Sequence, residues 1–135
     1  TDVGLSELSD ALKHLNCLHC LHLNISRVSP KLTDNAVVKF CEALELMFFL
    51  NELSLIFEGY LLSQLPKIYL PLRCGTLKDK SLIHLSKALR KLPLVQRLTL
   101  NFQFWRLITN EGLNMLSEAI SHLTKLKILD LNFHE

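Results

Sequence analysis

The stretch "LKDKSLIHLSKALRKL" at residues 77–92 decides the fold, because the chain contains four versions of it. In each version the apolar residues recur at offsets of three and four, which is the spacing of one face of an α-helix. A small residue at one shared place predicts that the helices pack closely. The other versions are 1–15, 32–47 and 108–123, and the shared residues are Ala11, Ala43, Ala88 and Ala119.

A short run with period-two alternation follows each helix-like segment. In "VQRLTLNF", residues 95–102, Leu98 and Leu100 alternate with polar residues, as expected of a half-buried strand. The matching runs are 18–25, 50–57 and 126–133. Helix, turn, strand and loop therefore form one repeating unit, and a period of this kind is typical of repeat architectures.

A short polar acceptor stands just before each helical pattern. Such side chains accept hydrogen bonds from the free N–H groups at a helix start, so we expect each one to cap the helix that follows it. These residues are Asp2, Asp34, Asp79 and Asn110.

The repeats resemble the leucine-rich-repeat family, in its long, ribonuclease-inhibitor-like type. The resemblance rests on L-x-x-L-x-L in the strand and (L/I)-T-(D/N)-x-x-Φ-x-x-L-x-x-A-Φ in the helix, where Φ is apolar, and it covers nearly the whole chain. It implies an α/β solenoid, a horseshoe arc with a parallel sheet on the concave face and helices on the convex face. The family's Asn or Cys after the strand is missing, and an aromatic column stands nearby instead. The column holds Phe57, Phe102 and Phe133, with Ile25 alongside.

Residues 58–75, "EGYLLSQLPKIYLPLRCG", depart from the repeat. Leu70 follows Leu53 by only 17 residues, too few for a full unit. Either this is a short repeat whose convex side is a single turn, or residues are absent from the chain. We favour a fifth, irregular strand following the second one, although Pro71 cannot donate to a ladder.

Residues 1–135 are thus predicted to form a single leucine-rich-repeat segment, with about four full repeats and one irregular short repeat at 58–75. Solenoids carry polar capping units at their ends, and neither end of this sequence shows one. We therefore expect the segment to belong to a longer protein.

The stretch "CLHCLH", residues 17–22, has the residue types of a metal or redox site. Haem attachment needs His directly after the second Cys, where this chain has Leu21. A redox pair needs thiols at a helix N-terminus, and tetrahedral zinc needs four convergent ligands. Cys17 and Cys20, three apart on a strand, would point to opposite faces. We predict neither a metal nor a cofactor.

Composition narrows the function classes. A net charge of +2 gives no strong field toward nucleic acid or a membrane, and charges interrupt the longest apolar stretch, 44–57. Four Cys are too few for a disulfide scaffold, which favours a reducing, cytoplasmic location. The sequence shows no phosphate loop, paired carboxylates or Ser/His/Asp arrangement, so we expect no enzyme activity.

The remaining expectation is a non-enzymatic protein-interaction module, or a scaffold subunit of a larger assembly. Its partner would bind the outward side chains of the concave strands. The predicted contacts are Cys20, His22, Asn24, Glu52, Ser54, Tyr69, Arg73, Arg97, Thr99, Asn101, Asp130 and Asn132. Trp105 and Arg106 either add a contact at the loop rim or, in the case of Trp105, cover the core.

Two alternatives follow from other solenoid proteins. A GTPase-activating protein would need an exposed arginine acting on the bound nucleotide, and Arg27, Arg73 and Arg106 are the candidates. A substrate receptor of a ubiquitin ligase would need an F-box outside these residues.

Overall fold

The structure, a computed structural model, describes residues 2–25, 32–57, 77–103, 105 and 107–133. In this part of the chain helices and strands alternate, each where the periodicity predicts it. The helices are α1 (Asp2–Leu12), α2 (Asp34–Leu44), α3 (Asp79–Leu89) and α4 (Asn110–Ser121), and the strands are β1 (Cys20–Asn24), β2 (Glu52–Ile56), β3 (Arg97–Asn101) and β4 (Ile128–Asn132). The α/β class is confirmed.

The strands form one parallel sheet in the order β1-β2-β3-β4. The register aligns the columns that the sequence predicts, and Glu52 lies opposite Cys20 on one side and Arg97 on the other. Because β2 pairs directly with β3, no position between them remains for a fifth strand. The predicted strand of 58–75 lies outside the described residues.

The core lies between the sheet and a row of helices packed in chain order. Leu53, Leu55, Leu98 and Leu100 are fully buried, as the period-two alternation requires. The repeated alanine is also fully buried in α2, α3 and α4, where helices meet. In α1 it is exposed, because no helix in the described part of the chain packs on that side.

The aromatic column continues the core beyond the strand ends. The ring of Phe102 stacks on Phe57 at 6.3 Å and packs against Phe133 at 5.5 Å, measured between centroids. Trp105 lies against Phe102 at 4.6 Å, and its indole N–H donates to the Phe57 carbonyl at 2.7 Å. Trp105 is only 8% exposed. It covers the core, and the expectation of a rim contact there is wrong.

The acidic residues at the helix starts bind the following helix instead of capping their own. Asp2 accepts from the backbone N–H of Thr33 at 2.8 Å and from its hydroxyl at 2.6 Å. Asp79 accepts from the same two groups of Thr109, at 2.8 and 2.5 Å. The prediction that these residues cap their own helices is therefore wrong, because each bonds to the helix that follows. The reason is position, because each of these Asp residues is the first helical residue, one place after the cap.

The same link between α2 and α3 needs a different hydroxyl. The residue before α3 is Lys78, whose N–H donates to Asp34 at 2.9 Å. Lys78 has no hydroxyl, and Ser81, one turn later, donates to the same carboxylate at 2.5 Å. The carboxylates thus join successive repeats along the edge where the helices begin. No helix among the described residues is long and apolar enough to cross a membrane.

Candidate functional site

The side chains of β1–β4 that point away from the helices form one surface, called here the strand face. In β2 they alternate with the fully buried Leu53 and Leu55. Hydrogen-bonded register aligns them in three columns across the sheet. The columns are Cys20, Glu52, Arg97 and Ile128; His22, Ser54, Thr99 and Asp130; and Asn24, Ile56, Asn101 and Asn132.

An acidic group at the middle of the strand face joins its two neighbouring strands. The Glu52 carboxylate lies 3.5 Å from the His22 Nε2 and 3.8 Å from an Arg97 guanidinium nitrogen. Its side chain is 29% exposed, against 59% for both His22 and Arg97. Exposed ion pairs contribute little to stability. The carboxylate thus faces His22 and Arg97 on the neighbouring strands, at distances longer than a hydrogen bond.

The asparagine column is already engaged within the chain. The side-chain oxygen of Asn101 accepts from the backbone N–H of Gln103 at 3.0 Å, which holds the loop after β3. Asn24 and Asn132 also take part in interactions. A partner would therefore meet prearranged amides in this column.

The strand face collects most of the residues that the sequence predicts as contacts. Their side chains range from exposed to half-buried. Those on the face are Cys20, His22, Asn24, Glu52, Ser54, Arg97, Thr99, Asn101, Asp130 and Asn132. Tyr69 and Arg73 lie outside the described residues, as do Arg27 and Arg106, and Trp105 belongs to the core.

The cysteines differ sharply in their surroundings. Cys17 and Cys20 are exposed free thiols, but Cys17 lies in the turn before β1, so the argument from opposite strand faces does not apply to it. Burial of Cys41 in α2 raises the pKa of its thiol to about 12. Among the described residues, no three His, Cys, Asp or Glu side chains are grouped to hold a metal ion.

Sequence reasoning missed that Leu129 and Leu131 of β4 are exposed, and it missed an exposed aromatic pair. Phe48 and Phe49, in the turn between α2 and β2, are each 51% exposed. Periodicity carries no signal for this, because both residues fall between the helical and strand patterns. Their counterparts in the turn after α1 are Asn16 and Cys17, and this difference within the repeat was the available sign.

No known protein-family model matches the chain, and a search of curated proteins finds no match. Function is therefore inferred from the strand face itself and from the repeat pattern.

Proposed function

We propose that this chain is a protein-interaction module, a non-enzymatic scaffold element whose strand face binds a protein partner. The observation that carries the proposal is the fixed array of unlike polar groups across neighbouring strands, with Glu52 between His22 and Arg97. Such a mixture of charge, hydroxyl and amide suits recognition of another protein surface.

The proposed fold family is the leucine-rich-repeat solenoid of the ribonuclease-inhibitor-like type. Support comes from the recurrence of one α/β unit and from the parallel pairing of strands in chain order. In such an arc the strand face would be concave. A reducing, intracellular location is part of the proposal, and the exposed free thiols of Cys17 and Cys20 fit it.

Rigidity favours the strand face as the binding surface. Its side chains stand on hydrogen-bonded strands, so fewer backbone degrees of freedom are lost when a partner binds. The described strands span about 14 Å, three spacings of about 4.8 Å. Arg97 lies on β3, inside the sheet, and arginine is enriched among residues that dominate interface energies.

The helix face is the competing surface, and some of its charges are paired within the chain. The Lys39 ammonium donates to the Ser6 hydroxyl at 2.6 Å and to the Asp10 carboxylate at 2.8 Å. Hydrogen bonds from Lys39 and Lys13 lower the pKa of the Asp10 carboxyl. Glu118 pairs with Arg90 at 3.0 Å. Charged contacts within the chain therefore occur on both faces, and the rigidity of the strands is what favours the strand face.

Site-specific photo-crosslinking tests the location. A photoreactive amino acid is placed at Thr99 on the strand face or at Lys87 on the exposed side of α3. Both are irradiated in extract, and the adducts are identified by mass spectrometry. We expect one dominant protein adduct from position 99 that is absent from position 87. The same adduct from position 87 alone would place the partner on the helix face.

A further inference from the structure

One edge of the folded molecule is rich in basic residues. We call this the turn edge, and it comprises the helix ends and turns before the strands, residues 13–19, 45–51, 90–96 and 122–127. Its only acidic residue is Glu45. Its lysines and arginines are Lys13, Arg90, Lys91, Lys125 and Lys127.

The opposite edge, where the helices begin, carries acidic residues beside the exposed Lys78 and Lys80. The described residues there include Asp2, Asp34 and Asp79, with Glu111 in the first turn of α4. The turn edge thus has five basic residues and one acidic residue, which the chain's net charge of +2 does not reveal. This is why composition alone predicts no membrane partner, whereas the folded chain presents a basic edge.

Exposed apolar side chains lie on that same basic edge. Phe48 and Phe49 are each 51% exposed, and Leu46 beside them is 43% exposed. The ring of Phe49 stacks on His19 of the neighbouring turn, with centroids 6.4 Å apart. Adjacent exposed aromatic rings are costly in water, so a patch of this kind marks an interaction site.

The turns are aligned by backbone hydrogen bonds. The N–H of Asn51 donates to the His19 carbonyl at 2.7 Å, that of Gln96 to Asn51 at 2.7 Å, and that of Lys127 to Gln96 at 2.8 Å. The aromatic turn and the basic turns are thus held side by side along about 14 Å, three spacings of about 4.8 Å.

Among the basic residues of the turn edge, the two lysines before β4 are the most available to bind a ligand. Lys13, Arg90 and Lys91 each pair with an acidic side chain, the first two at 3.0 Å and the last at 2.5 Å. Lys125 and Lys127 are exposed, and no acidic side chain of the described residues forms an ion pair with either.

We propose that the turn edge docks on an anionic lipid surface. Phe48 and Phe49 enter the interfacial layer, and Lys125 and Lys127 face the lipid phosphates, since apolar insertion and basic attraction together give peripheral binding. Apolar side chains on a turn enter a lipid layer without a complementary cleft, which favours a membrane over an acidic protein. The proposal is independent of the strand face.

Vesicle co-sedimentation of the full chain tests it. Vesicles of phosphatidylcholine alone are compared with vesicles that also contain phosphatidylserine. One variant combines Phe48→Ala with Phe49→Ala, and another combines Lys125→Glu with Lys127→Glu. The matched controls, on the opposite edge, are Leu107→Ala and Lys78→Glu with Lys80→Glu.

We expect binding only to the phosphatidylserine vesicles, weakening as salt rises. Reversing the two lysines should weaken it by about a hundredfold, the phenylalanine variant should also weaken it, and both controls should bind like the parent chain. Absence of binding, equal binding to both vesicle types, or full binding by both turn-edge variants would overturn the proposal. So would binding of poly-glutamate through the same lysines with no binding to vesicles, which would assign the edge to an acidic protein.

Discussion

The carboxylate of Asp79 accepts two hydrogen bonds from Thr109, one from its backbone N–H at 2.8 Å and one from its hydroxyl at 2.5 Å. Thr109 is the N-cap of α4 and in turn accepts from the N–H of Glu111 at 3.2 Å. The residue that begins one helix therefore fixes the start of the next. Asp2 and Asp34 make the equivalent links, so the repeats are joined by a polar row as well as by the core.

Removal of one link should loosen the stack. We expect Asp79→Ala to lower the free energy of unfolding by about 1.5–3 kcal/mol, because two hydrogen bonds to a charged group are lost. Asp79→Asn keeps one acceptor oxygen and should cost less. Urea denaturation measures both, with the exposed Lys87→Ala as control. A loss for Asp79→Ala no greater than that of the control would show that the link contributes nothing.

Shortening a buried leucine side chain on the apolar face of a helix tests the core. Leu85 and Leu116 are nearly fully buried on equivalent faces of α3 and α4. Leu85→Ala and Leu116→Ala should each cost about 2–5 kcal/mol, since a cavity is left in a packed interior. A shift in melting temperature no larger than that of Lys87→Ala would contradict the assignment of these leucines to the core.

The indole of Trp105 has both a packing and a polar role. Trp105→Phe keeps an aromatic ring but leaves the Phe57 carbonyl without its donor, and we expect a loss of about 1–3 kcal/mol. Trp105→Ala should cost more, about 3–5 kcal/mol. Thermal denaturation checks both. If Trp105→Ala left the stability unchanged and abolished partner binding, Trp105 would be a partner contact at the loop rim.

A single reactivity assay should distinguish the exposed thiols from the buried one. In folded protein, Cys17 and Cys20 should react readily with a disulfide reagent at neutral pH. Cys41 should not react until the chain unfolds, because it is buried and its pKa is raised to about 12, which leaves almost no thiolate. Mass spectrometry of the labelled peptides distinguishes them. Equimolar zinc should not slow labelling of Cys17 and Cys20. Protection by zinc, lost in Cys17→Ser with Cys20→Ser, would instead establish a metal site.

Periodicity was sufficient to predict the regular elements. The alternation around Leu98 and Leu100 defines a strand, and aligning the repeats places Arg97 in the same column as Glu52, as in the observed register. This works because β2 and β3 bury the same face, so a shift by one residue in either strand would expose its leucines.

Interactions between distant residues were beyond that reasoning. The bond from Asp79 reaches 30 residues along the chain to Thr109, whereas capping preferences describe only the nearest helix. The Phe57 carbonyl that receives the Trp105 N–H is 48 residues away.

The affinity of the Arg97→Ala variant tests the central claim most directly. The protein crosslinked at position 99 is purified, and its Kd is measured by calorimetry with the parent chain, with Arg97→Ala and with the helix-face reversals Lys39→Glu, Lys87→Glu and Glu118→Lys. The account predicts that Arg97→Ala weakens binding by about 1–3 kcal/mol without changing the melting temperature, while the reversals leave the Kd unchanged. An unchanged Kd for Arg97→Ala together with binding abolished by the reversals would contradict it.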